Sequence, residues 1–267
     1  MNSLTALVAH SLYRRRWFLL AECVLLFLFQ VLTVAAARTV EGSGGFGAFS
    51  VLLPSFMQQW AGVMMSSFGA MALLGYSHPI VVLLLVATAI TIATEAAEET
   101  ETRFVDLVMA RPIARGTPIN RSLVVLVIAL GAALASMMFG TVVGIAVLKP
   151  EAAVAPSPRT VAALAAGLGL VVLAWGAIAL AIASTSTRRA TAGGVTGLLA
   201  AAMFILALLA EFWDAAAPYA LASPFHYNEA SRIVGGGALQ WSDVAVLAGI
   251  VVAGFIAARI GYAQRDL

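Results

Sequence analysis

The chain has 267 residues, of which 62% are hydrophobic and only 10% charged. A soluble domain carries about 45–50% apolar and about 25% charged residues, so this composition excludes a soluble enzyme and a disordered chain and calls for a lipid-facing surface. A formal net charge of +2 gives no reason to expect nucleic acid as a partner, and the single cysteine, Cys23, excludes both an internal disulfide and a cysteine-based zinc site.

Leu4, Leu7, Val8 and Leu12 share one helical face ahead of Arg14-Arg15-Arg16-Trp17. This predicts an N-terminal amphipathic helix on the inner leaflet, with arginines for anionic lipid and a tryptophan at the interface. The apolar run at 17–37 is about 31 Å long as a helix, enough for a first crossing. Ala35-Ala36-Ala37 has the look of a signal-peptide cleavage site, but the run before it is longer than a signal's apolar region, which favours an uncleaved span. Glu22 is the one acid well inside this run. An intramembrane acid is a functional candidate, in a substrate or proton path; its closeness to the cytoplasmic end, about five residues and ~8 Å away, favours snorkelling or pairing with Arg14–Arg16 instead.

The stretch Val51–Tyr76 is apolar but carries Pro54, Gln58 and Gln59, and reads as a helix lying at the outer surface or re-entering the membrane. Further spans follow at about 79–94, 123–148, 161–183, 191–210 and 244–262. The result is an all-α integral membrane protein with six transmembrane helices in a single domain over residues 1–267. Charge sets its orientation, because cytoplasmic segments collect lysine and arginine. With both termini cytoplasmic, residues 14–16, 103–121, 188–189 and 259–265 place eleven of the 15 basic residues inside. Trp213, Tyr219, Phe225, Tyr227 and Trp241 then form an aromatic belt on the outer side, and Gly235-Gly236-Gly237 marks a turn before the last span.

Between the second and third spans, Glu95–Arg121 is charged out of proportion to the rest. Phe104, Leu107 and Val108 fall at i, i+3 and i+4, with Glu98, Glu101 and Asp106 on the other side, so Glu98–Ala110 reads as an amphipathic helix across the cytoplasmic face. Pro112 ends it, and Thr117-Pro118 starts the next helix. Such a helix either covers the end of the bundle or docks a cytoplasmic partner.

The run Glu98-Glu99-Thr100-Glu101 … Asp106-Leu107-Val108-Met109-Ala110-Arg111-Pro112-Ile113-Ala114-Arg115 resembles the signature loop of type-2 ATP-binding-cassette (ABC) permeases. Ser223-Pro224-Phe225-His226-Tyr227, Arg265-Asp266-Leu267 and the six-span layout are also similar to that group. The chain departs from it where Arg103-Phe104 replaces a Gly-Thr pair, which favours a continuous helix, and where Ala114 replaces a serine. The resemblance implies a permease subunit of an exporter in the plasma (inner) membrane of a prokaryote. It implies a dimer with a second permease copy, identical or closely related, and cytoplasmic ABC ATPase subunits docking on Glu98, Glu99, Glu101, Phe104, Asp106, Leu107, Val108, Arg111, Pro112 and Arg115.

The chain itself offers no phosphate-binding loop. The motif G-x-x-x-x-G-K-[ST] is absent, and the only lysine, Lys149, precedes a proline. No catalytic, metal or cofactor residue is expected in it; ATP and Mg belong to the partner ATPase. His10, His78 and His226 are scattered, and the stripe Met57, Met64, Met71 reads as an adaptable apolar face before it reads as a thioether site for Cu(I). Gly140-x-x-x-Gly144 and Gly193-x-x-x-Gly197-x-x-x-Ala201 allow helices to approach closely. Gly193, Gly197 and Ala201 are candidates either for packing within one subunit or for a subunit interface. An ion- or proton-coupled secondary transporter would show several buried ionisable residues and an internal repeat, of which this sequence has one acid and no repeat. A membrane scaffold that recruits a cytoplasmic enzyme through the same loop is the other alternative.

Overall fold

The computed structural model describes residues 3–42, 67–102, 116–148, 155–228 and 230–264. Among them every regular element is helical, and six helices are long and apolar enough to cross a membrane. They are α1 (Ser3–Gly42), α3 (Pro79–Ala93) continued by α4 (Glu95–Glu101), α5 (Thr117–Leu148), α6 (Pro158–Thr185), α7 (Arg189–Ala210) and α10 (Trp241–Ala263). Short helices fill the connections: α2 (Phe68–Ala72), α8 (Ala217–Ala220) and α9 (Ala230–Val234). Each expected span is present, and most are extended by a few capping residues. Ser157 accepts from Thr160 N with Pro158 at the first turn of α6, and α5 opens at Thr117-Pro118 as expected.

The first helix differs from expectation. The N-terminal amphipathic segment is no separate interfacial helix; it runs without a break into the first span, giving 40 residues and about 60 Å. No glycine or proline occurs between Ser3 and Glu41 to interrupt it. Its apolar face packs on the bundle instead of on lipid: Val8 is buried in the main core, with Leu4 and Leu12 against it.

Helices α3 and α6 form the centre, mostly buried, whereas α1, α7 and α10 show most of their apolar surface to the outside, as lipid-facing helices do. Helix α1 runs along α5, and α10 along α6. Both contacts depend on glycine. A Cβ on Gly140 would lie 2.7 Å from the Phe27 carbonyl oxygen, and one on Gly254 2.9 Å from the Ala177 backbone. The Gly140/Gly144 face is thus the seam between α5 and α1, with Val34 over Gly144.

At one end of the bundle, Phe68–Tyr76 packs inside the rim. The Gln30 amide donates to Ala72 O at 2.8 Å, and the Tyr76 hydroxyl is 3.1 Å from that of Thr141. Gln30 lies seven residues, about 10 Å, short of Ala37 along α1, so this part of the expected surface helix dips into the protein. Residues 51–66, with Met57 and Met64, lie outside the described residues; Met71 packs on Val34, Ala37 and Phe68. At the same end, Trp213, Tyr219 and Trp241 are exposed, as an interfacial belt requires. Phe225 is not part of it. It is buried against Trp175 and Phe204, at ring-centroid distances of 5.4 and 5.3 Å, because the 3-10 turn Pro224–Tyr227 points it into the core. Gly236, at φ 94°, makes the turn before the last span.

Candidate functional site

The opposite end gathers the charge. Helix α3 stops at Ala93, and Thr94 turns the chain into α4, whose four acids all find partners within the protein. Glu95 is almost fully buried: its Oε1 accepts from Arg14 Nη2 at 2.7 Å and from Ser11 Oγ at 3.1 Å, and Arg15 stands 3.7 Å from its other oxygen. Glu98 pairs with Arg189 at 2.6 Å. Glu99 pairs with Arg121, both side chains at most 9% exposed. Glu101 accepts the backbone N–H of Arg189 at 3.0 Å, and so caps the first turn of α7, where Arg188 supplies no side-chain cap.

Seven residues of α4 therefore latch together the ends of α1, α5 and α7. Pattern left open whether these acids cover the end of the bundle or dock a partner; Glu95, Glu98 and Glu99 meet the chain's own arginine side chains, and Glu101 the backbone of Arg189. In the sequence Arg121 and Arg189 were visible as topology markers, and Arg14 and Arg15 also as lipid contacts or partners of Glu22; what makes them a site is that the fold brings 14–15, 121 and 189 to one place. Of the expected docking residues, Glu98, Glu99 and Glu101 are in this cluster. Phe104, Asp106, Leu107, Val108, Arg111, Pro112 and Arg115 lie outside the described residues.

No family model, curated protein or solved structure matches this chain. The geometry stands by itself.

Glu22 corrects a second expectation. It does not pair with Arg14–Arg16. Arg14 and Arg15 are taken by Glu95, and the Arg16 guanidinium lies 3.7 Å over the Tyr13 ring. Arg15 shares Glu22's helix face but lies seven residues, about 10 Å, away. Glu22 instead accepts from Thr88 Oγ1 at 2.7 Å, with both residues buried. The pair borders a cavity between α1, α3, α5 and α6, whose other walls include Leu85, Ala89, Ile92, Ala129, Ala133 and Val172. Thr88 carried no signal of its own in the sequence.

The two small-residue faces have opposite surroundings. A Cβ on Gly193 or Gly197 would meet nothing within 4 Å. The buried face of α7 is one residue over, at Ala192, Thr196 and Ala200, and Ala201 is exposed. Gly193, Gly197 and Ala201 therefore do not serve packing among the described residues.

Proposed function

We propose that the chain is the permease subunit of an ATP-driven ABC exporter. It forms the translocation pathway as a dimer, with separate ATPase subunits binding ATP and Mg below it. The reading starts from the resemblance of Glu98–Arg115 to the type-2 permease loop. The observation that carries it further is the ion-pair latch at the start of that loop. A force applied by a partner just beyond Glu101 acts directly on the second span, and through Arg14, Arg121 and Arg189 on the first, third and fifth. Coupling by such a contiguous network of charged contacts is what a nucleotide-driven permease needs. The latched end is the cytoplasmic one, because the basic residues collect there. The Gly193/Gly197 face, where an added Cβ would meet nothing within 4 Å, suits close approach of a second copy.

Export in a prokaryotic plasma membrane follows from the family resemblance. A secondary transporter draws support from one buried span acid, Glu22, and a scaffold from the loop alone. Co-purification of an ATPase, with hydrolysis stimulated in reconstituted membranes, separates these readings. Leu107→Ala should remove about 1–2 kcal/mol of docking, roughly a ten- to thirtyfold loss of affinity, with insertion intact. If that variant binds and stimulates as wild type does, the loop is not the coupling element.

A further inference from the structure

We propose that Glu22 and Thr88 form an intramembrane binding site for the protonated amine of an amphiphilic molecule. The site's place in a transport path rests on the exporter reading, whose substrate class it names. Glu22 is 5% exposed and Thr88 7%. Thr88 is Glu22's one hydrogen-bond partner among the described residues, and it occupies a single carboxylate oxygen. An ionised carboxylate offers about four acceptor positions, so most of its capacity is open. Among the described residues no arginine reaches it, and a buried acid without a cation is costly to keep charged until one arrives.

The space beside it fits a small donor. The cavity measures about 10 Å³, room for the centre of one water-sized group. An ammonium head has that size and carries three N–H donors, enough to bond the carboxylate and the threonine hydroxyl together. A divalent metal wants six or more oxygen ligands, and this wall supplies two side chains bearing oxygen. An anion meets the carboxylate with repulsion. A neutral alcohol can hydrogen-bond but leaves the charge uncompensated.

The remaining lining is apolar, from Leu85 and Ile92 to the small Ala89, Ala129 and Ala133, and gives the head group no polar partner besides Glu22 and Thr88. The site lies between α1 and α3, which are also joined where Arg15 Nη2 donates to Thr91 O at 3.3 Å and where the Phe29 ring meets that of His78. Helix α1 has its other side toward lipid, with Val24, Leu25 and Leu28 exposed.

The test uses the purified full chain in lipid nanodiscs, without any ATPase, and four radiolabelled probes of one chain length: decylamine, decyltrimethylammonium, decanol and decanoate. Retention is read against empty discs of the same lipid. Decylamine should be retained most, decyltrimethylammonium less for want of N–H donors, and decanol and decanoate no more than by empty discs. Glu22→Gln should lower decylamine retention at least about tenfold, and Thr88→Val about threefold. Equal retention of decanol or decanoate by the wild-type protein overturns the site, and that comparison needs no variant to fold. Unchanged decylamine retention in a Glu22→Gln protein of normal helix content overturns it equally. Because no ATPase is present, failure here leaves the exporter reading standing, and failure of ATPase co-purification leaves this result standing.

Discussion

Arg121→Met is the sharpest probe of the latch. Arg121 is 2% exposed and its partner Glu99 9%, so neither charge is relieved by bulk solvent. Methionine keeps most of the apolar stem and deletes the guanidinium. Glu99 is then left as a buried carboxylate without a cation, at a cost of about 3–5 kcal/mol. For a chain of this size that corresponds to a fall on the order of 10 °C in Tm. The intact pair is itself no large source of stability, because Arg121 Nε and Nη2 have no hydrogen-bond partner among the described residues and their desolvation offsets part of the attraction. Removing both charges should therefore recover most of the loss. Arg121→Met with Glu99→Gln should melt within about 1 kcal/mol of wild type, giving in a double-mutant cycle a coupling energy of at least about 2–4 kcal/mol, larger by whatever Glu99→Gln costs alone. Thermal unfolding of the four proteins in one detergent measures it. If Arg121→Met is as stable as wild type, or the coupling is near zero, the two side chains are not held together away from water and the latch argument fails.

Three further outcomes are expected. In a Cys23→Ala background, a cysteine at the exposed Ala155 should label from outside intact cells, and protection there would reverse the assigned orientation. Gly140→Leu should disrupt folding, since its side chain meets the Phe27 carbonyl, whereas Gly197→Leu should leave the monomer inserted and weaken the dimer; an unchanged dimer on gel filtration would remove α7 from the subunit seam. Burial lowers the pKa of His78, whose Nδ1 accepts from Ile80 N at 3.3 Å. A folded state that resists protonation binds fewer protons than the unfolded chain, so stability should fall as pH drops below about 6.5, and His78→Asn should flatten that slope in melts between pH 8 and 5.

The spans were legible because each apolar run is long enough to cross a bilayer and is bounded by charge or by a capping residue, as at Ser157-Pro158. What pattern could not give was which surroundings a residue meets. Gly140/Gly144 and Gly193/Gly197 have the same spacing, yet one pair lies against α1 and the other faces open space. Five aromatic residues in 211–243 suggested a belt; one of them, Phe225, is the plug between Trp175 and Phe204. The end of the amphipathic segment was misplaced because a change from amphipathic to apolar pattern does not break a helix that has no proline or glycine in it. Glu22 was assigned to the arginines nearest in sequence, but Glu95, some eighty residues further on, is nearer to them in space.

The latch and the amine site are two rungs of one ladder. Glu22 and Arg15 are seven residues apart on α1; their partners Thr88 and Glu95 are seven residues apart on the opposing segment, running the other way. Two turns of helix separate the rungs by about 10 Å. Helices of this length move as rigid units over such a distance, so α1 cannot slide or tilt away from the second span at Glu95 without changing the fit at Thr88. The rungs are two of the links between these segments, beside the Arg15 donation to Thr91 O and the Phe29–His78 ring contact. A partner that pulls on the segment beyond Glu101 thus loosens Arg14 and Arg15 first and the Glu22 pocket next. Filling that pocket with a cation opposes the same displacement. If the exporter reading holds, linkage makes the two events influence each other equally: whatever a docked ATPase would do to the affinity of the pocket, an occupant of the pocket would do to the docking of the ATPase.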